Sequence, residues 1–77
     1  MSRHDLDPDT FDKALAKLTE EMGEVLQVLG KIGRHGYINT DPKTKKRYDN
    51  LTDLYLEIKD VEKAIVFVKK LWPIGGV

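Results

Sequence analysis

Apolar side chains fall in two periodic stretches. In the first, Phe11, Leu15, Leu18, Met22, Val25, Leu29 and Ile32 follow one another at alternating spacings of four and three residues. In the second, Leu51, Leu54, Ile58, Val61, Ile65, Val68 and Trp72 do the same, starting on a spacing of three. Such spacing keeps side chains on one stripe of an α-helix, and its regularity is that of a heptad seam. The pattern predicts helix one over 8–32 and helix two over 51–72. Asp7 is read as the N-cap of the first, with Pro8 at its first position. Gly33 and Gly36 are expected to end it, and Pro73, Gly75 and Gly76 to stop the second. Residues 1–7 read as a frayed lead and 73–77 as a tail.

Between the helices lies 33–50, GRHGYINTDPKTKKRYDN, a basic loop with room for a helical turn. Two starts for helix two are open. Asp41-Pro42 can cap it, carrying it back through Lys43–Asn50, or Asn50 caps it with Asp53 as the acid three residues on. The expected fold is all-α, one domain over 1–77, an antiparallel helical hairpin. Helix two is also apolar off its seam, at Leu56, Ala64, Val66, Phe67 and Leu71. A helix apolar on more than one stripe is buried on more than one side. Two helices cannot supply that for each other, so the hairpin is expected to complete a helical bundle as a homodimer or homotetramer.

Size sharpens this expectation. The chain has 77 residues and no cysteine. Ordering a residue costs roughly 1.5 kcal/mol, which burial in so short a chain about cancels. Without disulfides, an oligomer or a bound metal is the expected remedy. Thirteen basic residues balance thirteen acidic ones, which argues against a nucleic-acid or anionic-membrane coat. No apolar run approaches the roughly 18 residues of a membrane span, no signal peptide is read at the start, and a cytoplasmic location is expected.

The acids are grouped. With Leu15 and Leu51 at position a of the heptad, Glu21 and Glu24 fall at g and c, and so do Glu57 and Asp60. Each helix thus carries an acidic pair, three residues apart, on the same flank of its seam. In an antiparallel pair those flanks meet and four carboxylates converge, given the right register. Level pairing asks helix two to begin near Lys46 or earlier, which the Asp41-Pro42 cap permits. Like charges at these spacings, Glu20 with Glu24 and Asp53 with Glu57 included, cost a helix roughly 0.2–0.5 kcal/mol each. A bound cation removes that objection. Mg²⁺, hard and oxygen-seeking, suits the set, with Mn²⁺ as the alternative.

The motifs Glu20-Glu21-Met22-Gly23-Glu24 and Glu57-Ile58-Lys59-Asp60, with Lys31 and Arg34-His35-Gly36 between them, resemble the MazG-like all-α nucleotide pyrophosphohydrolases, especially short bacteriophage members. That family is marked by EExxE followed by ExxD, and the likeness spans about residues 15–66. The resemblance implies Mg²⁺ ligation by Glu21, Glu24, Glu57 and Asp60. It puts Glu20 beside the ligands or assisting a water, making these five the catalytic set. It implies hydrolysis of a nucleoside triphosphate to the monophosphate and pyrophosphate, dimers or dimers of dimers, and, for a phage-encoded chain, residence in the host cytoplasm. Lys31 and Arg34, which follow the first motif as in similar phage proteins, are expected to meet the phosphates.

Three departures stand out. Thirty-two residues separate Glu24 from Glu57, slightly long for the family. Lys59 replaces a usual small residue. Members commonly continue into further helices that add a phosphate-side Lys or Asn, whereas this sequence stops five residues after Trp72; Lys63, Lys69 and Lys70 are possible substitutes. The base pocket stays unassigned. Tyr37, Tyr48, Tyr55, Phe67 and Trp72 are the rings able to stack, with Tyr55 and Trp72 read as core. The alternative functions are a non-catalytic metal- or nucleotide-binding relative and a helical-hairpin interaction module.

Overall fold

The computed structural model describes residues 7–75. The expected lead over 1–6 and the last two tail residues lie outside the described residues. In chain order the elements are α1 (Phe11–His35), β1 (Ile38–Thr40), β2 (Arg47–Asp49) and α2 (Asn50–Lys70). The fold is mostly helical, as expected, with a small antiparallel strand pair that was not. The helices run antiparallel side by side. Phe11, at the start of α1, meets Trp72, just past the end of α2, edge-to-face with ring centroids 5.4 Å apart. The strand ribbon joins their other ends.

The helix limits correct the reading at each end. Helix one starts at Phe11, because Thr10 rather than Asp7 is the N-cap, its hydroxyl accepting from Lys13 N–H. It runs through Gly33 despite that residue's low helix propensity and stops at Gly36. There φ is +83° and ψ −176°, a region that only glycine occupies without strain. Helix two starts at Asn50, capped by Asp49, whose carboxylate accepts from the Thr52 N–H at 3.0 Å and the Thr52 hydroxyl at 2.9 Å. Those two bonds hold the Asp49 carboxyl below its ordinary pKa. The cap's contribution is therefore full above the ordinary carboxylate range and is lost as pH falls through the lowered value.

The segment read as a loop with room for a helical turn is instead a β-hairpin, Ile38 pairing with Asp49, Asn39 with Tyr48 and Thr40 with Arg47. Its turn is built by Asp41. The carboxylate accepts from Lys43 and Thr44 N–H, and the carbonyl accepts from Lys45 N–H. Lys45 takes the left-handed conformation, φ 62°, that closes such turns. Asn50 locks the ribbon to the helix end. It is 1% exposed; its Nδ2 donates to the Gly36 carbonyl at 2.9 Å and to Asn39 Oδ1 at 2.8 Å, while its backbone N–H donates to Tyr37. Asn50→Ala removes both side-chain bonds and strands two acceptors. At about 1 kcal/mol per bond, urea titration should show a loss of roughly 2 kcal/mol; an unchanged midpoint would mean the hairpin docks by other contacts.

The two helices meet along only half of the heptad seam: the d positions Leu18, Val25, Ile32, Leu54 and Val61 are half-buried and Val68 is buried, and the contact is centred on the g positions beside them. Ala14, Glu21 and Val28 are the buried residues of α1, and Ala64 and Val68 join Asn50 in α2. All but Val68 are g positions. The a positions Leu15, Met22, Leu29, Leu51, Ile58, Ile65 and Trp72 all stay exposed. Tyr55, read as core, is 64% exposed. Ala14 and Ala64 have no bulk beyond Cβ, so they allow close approach, and the contact rotates toward them. This turns the largest apolar side chains outward. The molecule measures 53 × 23 × 14 Å, a single layer of helices with two open faces. It exposes 6071 Å², against about 4,800 Å² for a compact monomer of this mass.

Candidate metal centre

The rotation that exposes the a positions of the seam brings the acids inside. Glu21 and Glu24 lie near the middle of α1 on the side it turns to α2, and Glu57 and Asp60 lie opposite on α2. One carboxylate oxygen from each of the four sits within 4.8 Å of all the others. Glu21 is 3% exposed; the other three are half-buried. The register works although α2 begins after Lys46, because the β-ribbon spans the stretch that a longer helix was expected to fill.

The arrangement is costly without a cation. Two like unit charges at such separations repel by roughly 3 kcal/mol at an effective dielectric constant of about 20. Lys17 supplies one positive charge, its Nζ 3.4 Å from Glu21 Oε2 and 3.6 Å from Glu20 Oε1. The other oxygen of Glu21, Oε1, is buried with no hydrogen-bond partner among the described residues. Leaving a buried acceptor unsatisfied costs about 1–3 kcal/mol, more for a charged group. Glu24 and Glu57 each also bury their Oε1.

A hard divalent ion fits this set. Oxygen ligands on opposite sides of Mg²⁺, at about 2.1 Å each, stand about 4.2 Å apart, and those of Ca²⁺ somewhat further. Separations of up to 4.8 Å are compatible with a hard divalent ion. The donors are all carboxylates, a set that suits Mg²⁺, Ca²⁺ or Mn²⁺ better than copper.

The remaining expected site residues lie apart from these four. Glu20 is not one of the converging carboxylates and stands at their edge, bound to Lys17. Lys31 and Arg34 lie further along α1, where with His35 they form one side of a cleft of about 450 Å³. Asn39, Thr40, Asp41, Pro42 and Tyr48 of the hairpin, with Asn50, form the rest. Sequence reasoning missed Lys17 and Asn50. Lys17 had a signal, a base three and four residues before two acids; Asn50 was weighed only as a cap.

Among the described residues no helix is long and apolar enough to cross a membrane. Comparison of the chain with protein-family models, curated proteins and solved structures finds no match.

Proposed function

We propose that this chain binds Mg²⁺ or Mn²⁺ on Glu21, Glu24, Glu57 and Asp60 and hydrolyses a nucleoside triphosphate to its monophosphate and pyrophosphate. The observation that carries this reading is the convergence of four carboxylates from two helices around a buried oxygen of Glu21 that has no hydrogen-bond partner among the described residues. When bound there, the cation supplies charge neutralisation on phosphate oxygens and a water of lowered pKa. Glu20, beside Glu21 and steadied by Lys17, is the carboxylate left to accept a proton from the attacking water. Lys31, seven residues and two turns beyond Glu24, is within a nucleotide's length of the carboxylates and offers the phosphates a cation. The likeness of both acidic motifs to the MazG-like enzymes supports the choice of reaction.

The open faces of the layer support assembly with further copies, as a dimer or tetramer. The outward seam also favours a second reading, a hairpin whose work is pairing with other helices. Pyrophosphate release from the eight common NTPs and dNTPs, with Mg²⁺ and with EDTA, separates the two. Metal-dependent release is expected with at least one substrate, falling about 100-fold in Glu57→Gln, the scale seen when a metal site is perturbed. Folded protein that releases nothing from any of the eight would sink the hydrolase reading and leave the pairing one.

A further inference from the structure

The cleft under the β-hairpin has a fixed relation to the carboxylates. Lys31 follows Glu24 by seven residues on α1, and Asn50 precedes Glu57 by seven on α2. Seven residues are two helical turns, so each cleft residue lies on the same stripe as its carboxylate, about 10 Å along the axis. Lys31 and Asn50 therefore stand at similar axial offsets from Glu24 and Glu57, toward the end of the helices that carries the β-ribbon.

Its chemistry changes along that line. Lys31 is the residue of α1 nearest the carboxylates, with Arg34 and His35 beyond it. The far wall is the inward side of the β-ribbon, where Asn39 and Tyr48 are cross-strand partners, both half-buried between exposed neighbours. Lys46, which is not part of the cleft, holds its Nζ 5.1 Å from the centroid of the Tyr48 ring and occupies one face of it. Tyr48 lines the cleft while Lys46 does not, so the ring is the flat apolar surface the cleft offers to a ligand. Asn50 is 1% exposed and both protons of its amide are committed, to Gly36 and Asn39, so it fixes the floor of the cleft and leaves polar contact with a ligand to the other lining residues. A flat ring with polar edges at the Tyr48 end and an anion at the Lys31 end describe a nucleoside 5′-phosphate. The volume, about 450 Å³, lies in the range of small-molecule sites.

We infer that this cleft receives the base and sugar of a nucleotide, the base stacked on Tyr48 and the phosphates directed past Lys31 toward the carboxylates. The inference deepens the hydrolase reading, and in its full form rests on it. It assigns base selection to the β-hairpin, an element outside both acidic motifs.

The test needs neither metal nor turnover. Amide and side-chain amide resonances of ¹⁵N-labelled protein are followed in EDTA during titration with AMP, GMP, CMP and UMP separately, and with inorganic pyrophosphate alone. At least one monophosphate is expected to shift Thr40, Tyr48 and the Asn50 side chain, while pyrophosphate shifts the region around Lys31 and Arg34 and leaves Tyr48 still. Base–aromatic stacking accounts for a five-fold or greater change in affinity, so Tyr48→Ala should weaken the monophosphate by at least that factor. Tyr48→Phe, which keeps the ring, should not; the spectrum of each variant reports its folding. Monophosphates that leave the hairpin resonances unmoved overturn the inference, and so does pyrophosphate moving Tyr48 as strongly as they do, which would make the cleft a plain phosphate site. Pyrophosphate release from triphosphates with a silent hairpin would defeat this inference and leave the hydrolase reading standing. A responsive hairpin without pyrophosphate release would do the reverse.

Discussion

Mg²⁺ or Mn²⁺ at about a hundred times its dissociation constant should raise the melting temperature by roughly 10–20 °C. A ligand at that excess stabilises the folded state by about 2.7 kcal/mol. In a domain of this size each kcal/mol moves the midpoint by roughly 4–8 °C. Glu21→Gln should produce two changes of opposite sign. The metal-free variant should melt higher than the metal-free wild type, because one of four converging negative charges is gone and the buried Oε1 no longer belongs to an ion. Added Mg²⁺ should then move it by a few degrees at most, since the most buried ligand has lost its charge. Asp12→Asn, an exposed acid in the first turn of α1, should keep the full response. Differential scanning fluorimetry across a Mg²⁺ series reads all three proteins. Equal shifts in wild type and Glu21→Gln would mean that the cation binds elsewhere; no shift in the wild type would remove the metal centre itself.

The carboxylates were legible before any coordinates because their spacing is uneconomical. Pairs of like charges three residues apart, repeated at the same heptad positions on two helices, stabilise neither helix, and that repetition is what marked them out. Helix existence was legible for a different reason, the long unbroken alternation of threes and fours. Where α1 starts was not, because Asp7 and Thr10 are both good N-caps and the choice depends on where Lys13 N–H finds its acceptor. The β-hairpin was hidden by its brevity. Its strands are three residues each, too short for an alternating pattern to stand out, and Asp41-Pro42, which starts the turn, reads equally well as a helix cap. The seam misled most. Its regularity suggested the contact between the two helices, yet the close contact follows Ala14 and Ala64, whose small size a hydrophobic count undervalues. The cleft was invisible to periodicity because its closing bond joins Asn50 to Gly36 across fourteen residues.

That outward seam sets the second large effect. Met22, Val25, Leu26, Ile58 and Val61 line an apolar groove of about 280 Å³ on the layer, and Leu15, Leu29 and Ile65 are also exposed. The chain exposes about 1,300 Å² more than a compact monomer of its mass. Two chains pairing through this groove would cover part of that excess. Sedimentation velocity at micromolar concentration should therefore show wild-type protein at twice the chain mass or more. In Ile58→Glu each copy puts an unpaired carboxylate into the interface, at about 3–5 kcal/mol apiece. A two-fold interface meets the change twice, so the dissociation constant should rise by about 10⁴ or more. Ile58 is an a position away from the buried contact between α1 and α2, so the hairpin itself has no packing reason to fail. Circular dichroism should still show helix, at a lower melting temperature that no longer depends on protein concentration. Val66→Glu, also exposed but outside the groove, is the comparison. Wild-type protein sedimenting as a monomer would refute assembly through this face, and equal dissociation in both variants would place the interface elsewhere on the layer.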